Sequence, residues 1–284
     1  MNFASLFAMP ALPRNVARFF WTFTALVLLR LLFHAAGPMP GMVEIHPGLA
    51  VIPLAAICFG ASGIWGAALA APGADFILQL PFSFTRFAGY GLCGFTSLLV
   101  WRGLAPSGAA SPSHRMPGTA VRALFAFLCG GFSISLWPAL GVSLRGVYPF
   151  AFAATFQIFV FAVYFLLFSP IFLNQLQKMV IEVPENPDRA ERHGCRLISV
   201  LVWLGGFLSL ISGILVSGYL YHGWPWVHPP LGHRDGWIIW IAIFPGLLLQ
   251  GVAVALGIAR SRAAAQSPAN SRFGSFYLPP IKKG

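Results

Sequence analysis

GLAVIPLAAICFGASGIWGAALAAPGAD, residues 48–75, decides how this chain is threaded. Up to Ala71 the stretch carries no charge, and its length of about 24 residues suits one membrane helix. Its middle argues otherwise. Phe59-Gly60-Ala61-Ser62-Gly63 puts two glycines and a serine where a helix interior needs better formers, and the same residues suit a tight turn. That turn predicts two short helices, 49–60 and 63–80, in place of one long one. The choice matters because one added crossing inverts everything downstream.

Composition sets the frame. The 284 residues are 57% hydrophobic and 9% charged, against about 25% charge in soluble domains. Apolar runs at Val16–Ala36, Phe84–Trp101, Thr119–Leu140, Tyr148–Leu173, Leu197–Tyr221 and Trp237–Ile258 are each long enough for a membrane helix. The fold class is therefore all-α, a polytopic helical membrane protein with the lipid bilayer as its main partner. The first run follows no clean cleavage site and reads as a retained helix. The net charge of +11 does not indicate nucleic-acid binding, because the basic residues flank the apolar runs. Cys58, Cys93, Cys129 and Cys195 make no CxxC pair, so neither a disulfide framework nor a zinc site is expected.

Charge parity then chooses between one crossing and two. With a turn at Gly60–Gly63 there are about eight crossings. The N-terminus, the 103–118 linker, the 174–196 loop and the tail then share one side, which collects 14 of the 18 Lys and Arg. Arg86, Arg145 and Arg234 fall opposite, and Arg30 lies within a helix. By the positive-inside rule both termini are cytoplasmic. Helix 49–60 is then only about 18 Å long, at 1.5 Å per residue, and must be packed within protein or the bilayer must deform around it. Pro53 suits a broken, sheltered helix, the kind from which membrane proteins build ligand sites. The resulting organisation is a cytoplasmic segment 1–15, a six-helix bundle 16–174, a cytoplasmic loop 175–196, a two-helix hairpin 197–259 and a cytoplasmic tail 260–284.

Few residues carry chemistry. A guanidinium at mid-membrane costs about 2.5–3.5 kcal/mol on insertion scales. Snorkelling to the nearby helix end is the simpler account of Arg30, and pairing with an acid or ligand inside the bundle is the sharper one. Glu182, Glu185, Asp188, Glu191 and His193 read as solvated loop groups. The opposite side gathers Glu44, His46, Asp75, Arg86, Arg145, His222, His228, His233, Arg234 and Asp235. Asp75 ends an apolar run, and with Arg86 it forms either a rim salt bridge or the polar end of a solute site. Glu44, His46, Asp75 and Arg86 are the candidate ligand-binding residues.

The loop HGWPWVHPPLGHRDGW, 222–237, lacks helical His spacing. Trp224, Trp226 and Trp237 therefore read as an interfacial aromatic belt rather than a metal site. Small residues recur every fourth position at Gly63, Ala67 and Ala71, and again at Gly205, Ser209, Gly213 and Ser217. That spacing serves close internal packing or a docking face for another subunit. No nucleophile elbow, phosphate-cradling loop, HExxH or carboxylate pair appears, so neither an enzyme nor a cofactor is expected.

Pro-Gly-Leu-Ala-Val-Ile-Pro-Leu (47–54), Phe-Gly-Ala-Ser-Gly-Ile-Trp-Gly-Ala-Ala (59–68) and Asp75 resemble the substrate-binding S component of energy-coupling-factor vitamin transporters. Gly-Val-Tyr-Pro-Phe-Ala (146–151), with Pro170 and Asn174, resembles the last helix of that architecture. The resemblance covers residues 16–174 and implies a six-helix bundle that binds a vitamin-like solute from the outer face, in a bacterial-type inner membrane. Three features depart from the family. Ala61-Ser62 replaces the proline of its turn, the first helix lacks the alanine-every-fourth pattern used to dock on the energising subunit, and two helices follow residue 196. Two functions stand at this point: a small-solute binding or transport component, and a non-catalytic sensor or scaffold that meets a membrane partner through the Gly205–Ser217 face.

Overall fold

The computed structural model describes residues 13–34, 46–104, 117–144, 149–178, 189–220 and 233–266. Among them are eight helices and no strand: α1 (Pro13–His34), α2 (Gly48–Phe59), α3 (Ala61–Ile77), α4 (Phe84–Gly103), α5 (Pro117–Leu144), α6 (Phe150–Lys178), α7 (Arg189–Leu220) and α8 (His233–Gln266). Five of these, α1, α5, α6, α7 and α8, are long and apolar enough to cross a membrane.

The 48–75 stretch does break, and at one residue. Gly60, with φ 61° and ψ −132°, ends α2 and opens α3, a backbone conformation that residues bearing a Cβ rarely adopt. Its N–H donates to the Ala56 carbonyl at 2.9 Å, and its own carbonyl accepts from Ile64 N at 3.1 Å. The expected turn over Gly60–Gly63 is therefore too long, since Ala61, Ser62 and Gly63 are the first turn of α3. Gly63 has a different task. A methyl group there would overlap the Ala55 carbonyl, so it lets α3 fold back against α2.

Contacts along the helices give their directions. Gly66 abuts Phe19 and Thr22 while Gly73 abuts Phe23, so α1 and α3 run parallel. Leu26 meets Gly48, and the Arg18 guanidinium lies 5.9 Å from the Phe59 ring centre, so α2 runs opposite to both. The twelve residues of α2 touch α1, α3, α4, α5 and α6. A helix of about 18 Å is tolerated because it is wrapped in protein. Pro53 does not break it, since the helix continues through this residue and loses only the one backbone donor that proline lacks.

The remaining helices follow antiparallel. Thr85 faces Gly141, and Cys93 and Ser97 face Gly130, which pairs α4 with α5. On α7 the buried Cys195, Ile198, Val202 and Ser209 alternate at helical spacing with the exposed Leu197, Val200, Leu208, Ile211 and Leu215. The second set forms an exposed apolar stripe, consistent with contact with lipid. Several helix ends differ from the expected boundaries: α3 stops at Ile77 rather than residue 80, and α5 runs from Pro117 to Leu144. Residues 175–178 and 189–196 are helical instead of loop, and α8 runs on to Gln266. Asn-Gln-Leu-Gln-Lys (174–178) and Ala-Ala-Ala-Gln (263–266) contain neither glycine nor proline, and all but Asn174 are good helix formers.

Candidate functional site

Three helix ends meet where α1 and α3 finish and α4 begins. Helix α3 closes with a Schellman pattern: Leu80 N donates to Asp75 O at 2.8 Å and Gln79 N to Phe76 O at 3.2 Å. Gln79 occupies the left-handed position, at φ 55°. This cap fixes Asp75 in the last turn of α3. Six residues separate Ile77 from the start of α4, and there Ser83 is the N-cap, its Oγ accepting from Arg86 N at 3.4 Å. Arg86 is thereby set in the first turn of α4, turned toward Asp75.

The charges converge on one oxygen. Arg30 Nη2 donates to Asp75 Oδ1 at 2.5 Å, and Arg86 Nη1 donates to the same Oδ1 at 2.8 Å. Arg30 Nη1 also donates to the Ala71 carbonyl at 2.6 Å, one turn up α3. Side-chain exposure is 1% for Asp75, 5% for Arg30 and 13% for Arg86. Asp75 Oδ2 is buried and has no hydrogen-bond partner among the described residues.

The geometry bears on two alternatives left open by the sequence. Arg30 does not snorkel; its guanidinium turns inward, because a carboxylate and a carbonyl stand within reach on the parallel α3. The Asp75–Arg86 pair is no rim salt bridge either, since the cap of α3 holds the carboxylate inside the bundle.

A second pair lies one turn deeper. His46 Nε2 and Tyr90 Oη are 2.8 Å apart, both side chains are buried, and Tyr90 follows Arg86 by four residues on the same face of α4. His46 precedes α2, whose first N–H groups bond back to the carbonyls of His46 and Pro47. The structure thus brings Asp75 and Arg86 together, sets His46 a turn below them, and adds Arg30 and Tyr90. Tyr90 was legible only as the i+4 neighbour of Arg86. Glu44, Arg145, His222, His228, Trp224 and Trp226 lie outside the described residues, as do the side chains of His233, Arg234, Asp235 and Trp237.

The small-residue faces are filled within the chain. Ala67 and Ala71 are buried with Leu26, Leu49 and Ile52. Gly205 abuts Gly246 and Gln250, and Ser209 Oγ donates to the Ile243 carbonyl at 2.9 Å. Gly213 abuts Phe150 and Ile243, and Ser217 Oγ accepts from Ala151 N at 3.3 Å.

Chemically, the cluster can offer a hydrogen-bond acceptor, Asp75 Oδ2, beside two guanidiniums and an imidazole–phenol pair. Comparison with protein-family models, curated proteins and solved structures finds no match for this chain.

Proposed function

We propose that this chain is a non-catalytic, multi-pass membrane protein that binds a small polar solute at Asp75, as a transport component resembling the S component of energy-coupling-factor transporters. It crosses the bilayer eight times with both termini cytoplasmic, and the Asp75 cluster faces the outer side of a bacterial-type inner membrane. The alternating helix directions and the 14 Lys and Arg gathered on one side support that orientation.

The observation that carries the function is the buried Oδ2 of Asp75, which has no hydrogen-bond partner among the described residues. An acceptor sealed inside a membrane bundle without a donor costs about 1–3 kcal/mol, more when charged, so a purely structural ion pair would be better made with both oxygens engaged. A solute that donates an N–H or O–H to Oδ2 completes the site. Arg30 and Arg86 both donate to Oδ1 and so hold the carboxylate in place with Oδ2 turned away from them. The scaffold alternative has less to stand on, because Gly205, Ser209, Gly213 and Ser217 pack against α6 and α8.

Native mass spectrometry of protein gently extracted from its own membranes tests the proposal. The expected result is a retained small molecule that is lost in Asp75→Ala or Arg86→Ala. Ligand-free protein in constant ratio with another membrane chain would overturn it in favour of a scaffold.

A further inference from the structure

Gln157 is a second place where buried hydrogen-bonding capacity goes unused. Its side chain is fully buried, 0% exposed, and neither Oε1 nor Nε2 has a partner among the described residues. It stands on the inward face of α6, at helical spacing with the buried Ala153, Ala154, Val160 and Phe161.

The register of the neighbouring helices gives its depth. Phe161 lies against Gly131 of α5, and the adjacent Gly130 lies against Cys93 and Ser97 of α4. Nearer the Asp75 end, Gly89 of α4 lies against Trp137 and Pro138 of α5. One turn from Phe161 toward the start of α6, about 5.4 Å, Gln157 is level with the part of α5 between Gly131 and Trp137. That is the level of Tyr90. Val160 and Phe161 also share one core cluster with Tyr90, Leu49 and Ile52. Gln157 therefore belongs to the layer of the His46–Tyr90 pair, about one turn below the Asp75 cluster.

Given the solute site proposed above, on which this step rests, we infer that Gln157 recognises the inner edge of the same solute, and that this edge is a ring amide or ureide. A carboxamide presents a donor and an acceptor side by side, and its complement is an N–H next to a C=O, joined by two antiparallel hydrogen bonds. Asp75 Oδ2 only accepts, so the outer edge of the solute donates. The inner edge is neutral, because residues 148–177 carry no charged side chain and an ion facing Gln157 would find no counter-charge on α6.

The test uses the full-length protein in lipid nanodiscs, with saturation-transfer NMR of uracil and 2-imidazolidinone as probes and their N,N′-dimethyl forms as controls. Wild type should bind both ring amides and neither dimethyl form. Gln157→Leu should weaken the probes about tenfold or more, as losing a buried hydrogen-bond pair implies, and Asp75→Asn should weaken them as well. The thermal midpoint of Gln157→Leu should equal or exceed that of wild type, because the change removes an unpartnered amide. Gln157→Met serves if the Leu variant does not fold. Unchanged probe binding in Gln157→Leu, with loss in Asp75→Asn, would overturn the role of Gln157 and leave the solute site standing. Failure of wild type to bind any ring amide would overturn the solute class, and the native mass spectrum decides the solute site independently.

Discussion

At the start of α4 two guanidiniums, Arg30 and Arg86, meet on one oxygen of Asp75; at its other end, Arg122 Nε and Arg196 Nε donate to the carbonyls of Trp101 and Gly103. The Arg122 guanidinium also lies over the Trp101 ring, 3.9 Å from its centre. Arg30 and Arg122 are both buried, while Arg86 is half-buried and Arg196 exposed, and the two ends use their arginines differently. Carbonyls at a helix C-terminus lack intrahelical donors and carry partial negative charge, so Arg122 and Arg196 complete the helix and leave nothing over. The carboxylate of Asp75 has two oxygens, and among the described residues only Oδ1 has hydrogen-bond partners. One end of α4 is finished by its arginines. The other is held open by them.

The largest expected effect comes from removing the carboxylate. Asp75→Ala strips the shared acceptor from one buried and one half-buried guanidinium and should destabilise the protein by about 3–5 kcal/mol, as for other broken buried pairs. Denaturant or thermal unfolding in a fixed detergent measures it, and solute retention should vanish with it. Arg122→Met should cost about 1.5–3 kcal/mol, the range for a hydrogen bond to a charged group, and solute retention should not change. Equal losses of solute in the two variants would erase the distinction between the ends.

Smaller changes sharpen the contrast. Tyr90→Phe removes the partner of His46 and should cost about 0.5–1.5 kcal/mol in unfolding experiments. Gln79→Gly should act in the opposite direction, gaining about 1 kcal/mol by relieving a left-handed residue that carries a Cβ. It acts on the cap that fixes Asp75, so a gain in stability with weaker solute retention would show that the strained cap positions the carboxylate.

Much of this was legible beforehand. Glycine at 60 and 63 announced the reversal because few other residues permit one inside an apolar run. Division of labour between the two glycines was not legible, since Gly60 turns the chain and Gly63 admits the Ala55 carbonyl, and only the packed hairpin distinguishes these tasks. Asp75 and Arg86 were named as a pair on account of their rarity. Arg30 was ambiguous because a lone arginine two turns from a helix end is served equally well by an interface or by an acid. The parallel packing of α1 on α3, which depends on Gly66 and Gly73 across more than forty residues of sequence, decides in favour of the acid. Gln157 carried a signal that went unread: it is the lone amide in the apolar part of α6, residues 150–173.

The central claim is that Asp75 Oδ2 accepts a hydrogen bond from a solute. Equilibrium dialysis tests it most directly, with nanodisc-embedded wild type and Asp75→Asn placed against a small-molecule extract of the cells that make the protein, and the retained compounds weighed by mass spectrometry. The account predicts one compound class enriched by wild type and absent from Asp75→Asn. The same compounds retained by both proteins, or by neither, would contradict it.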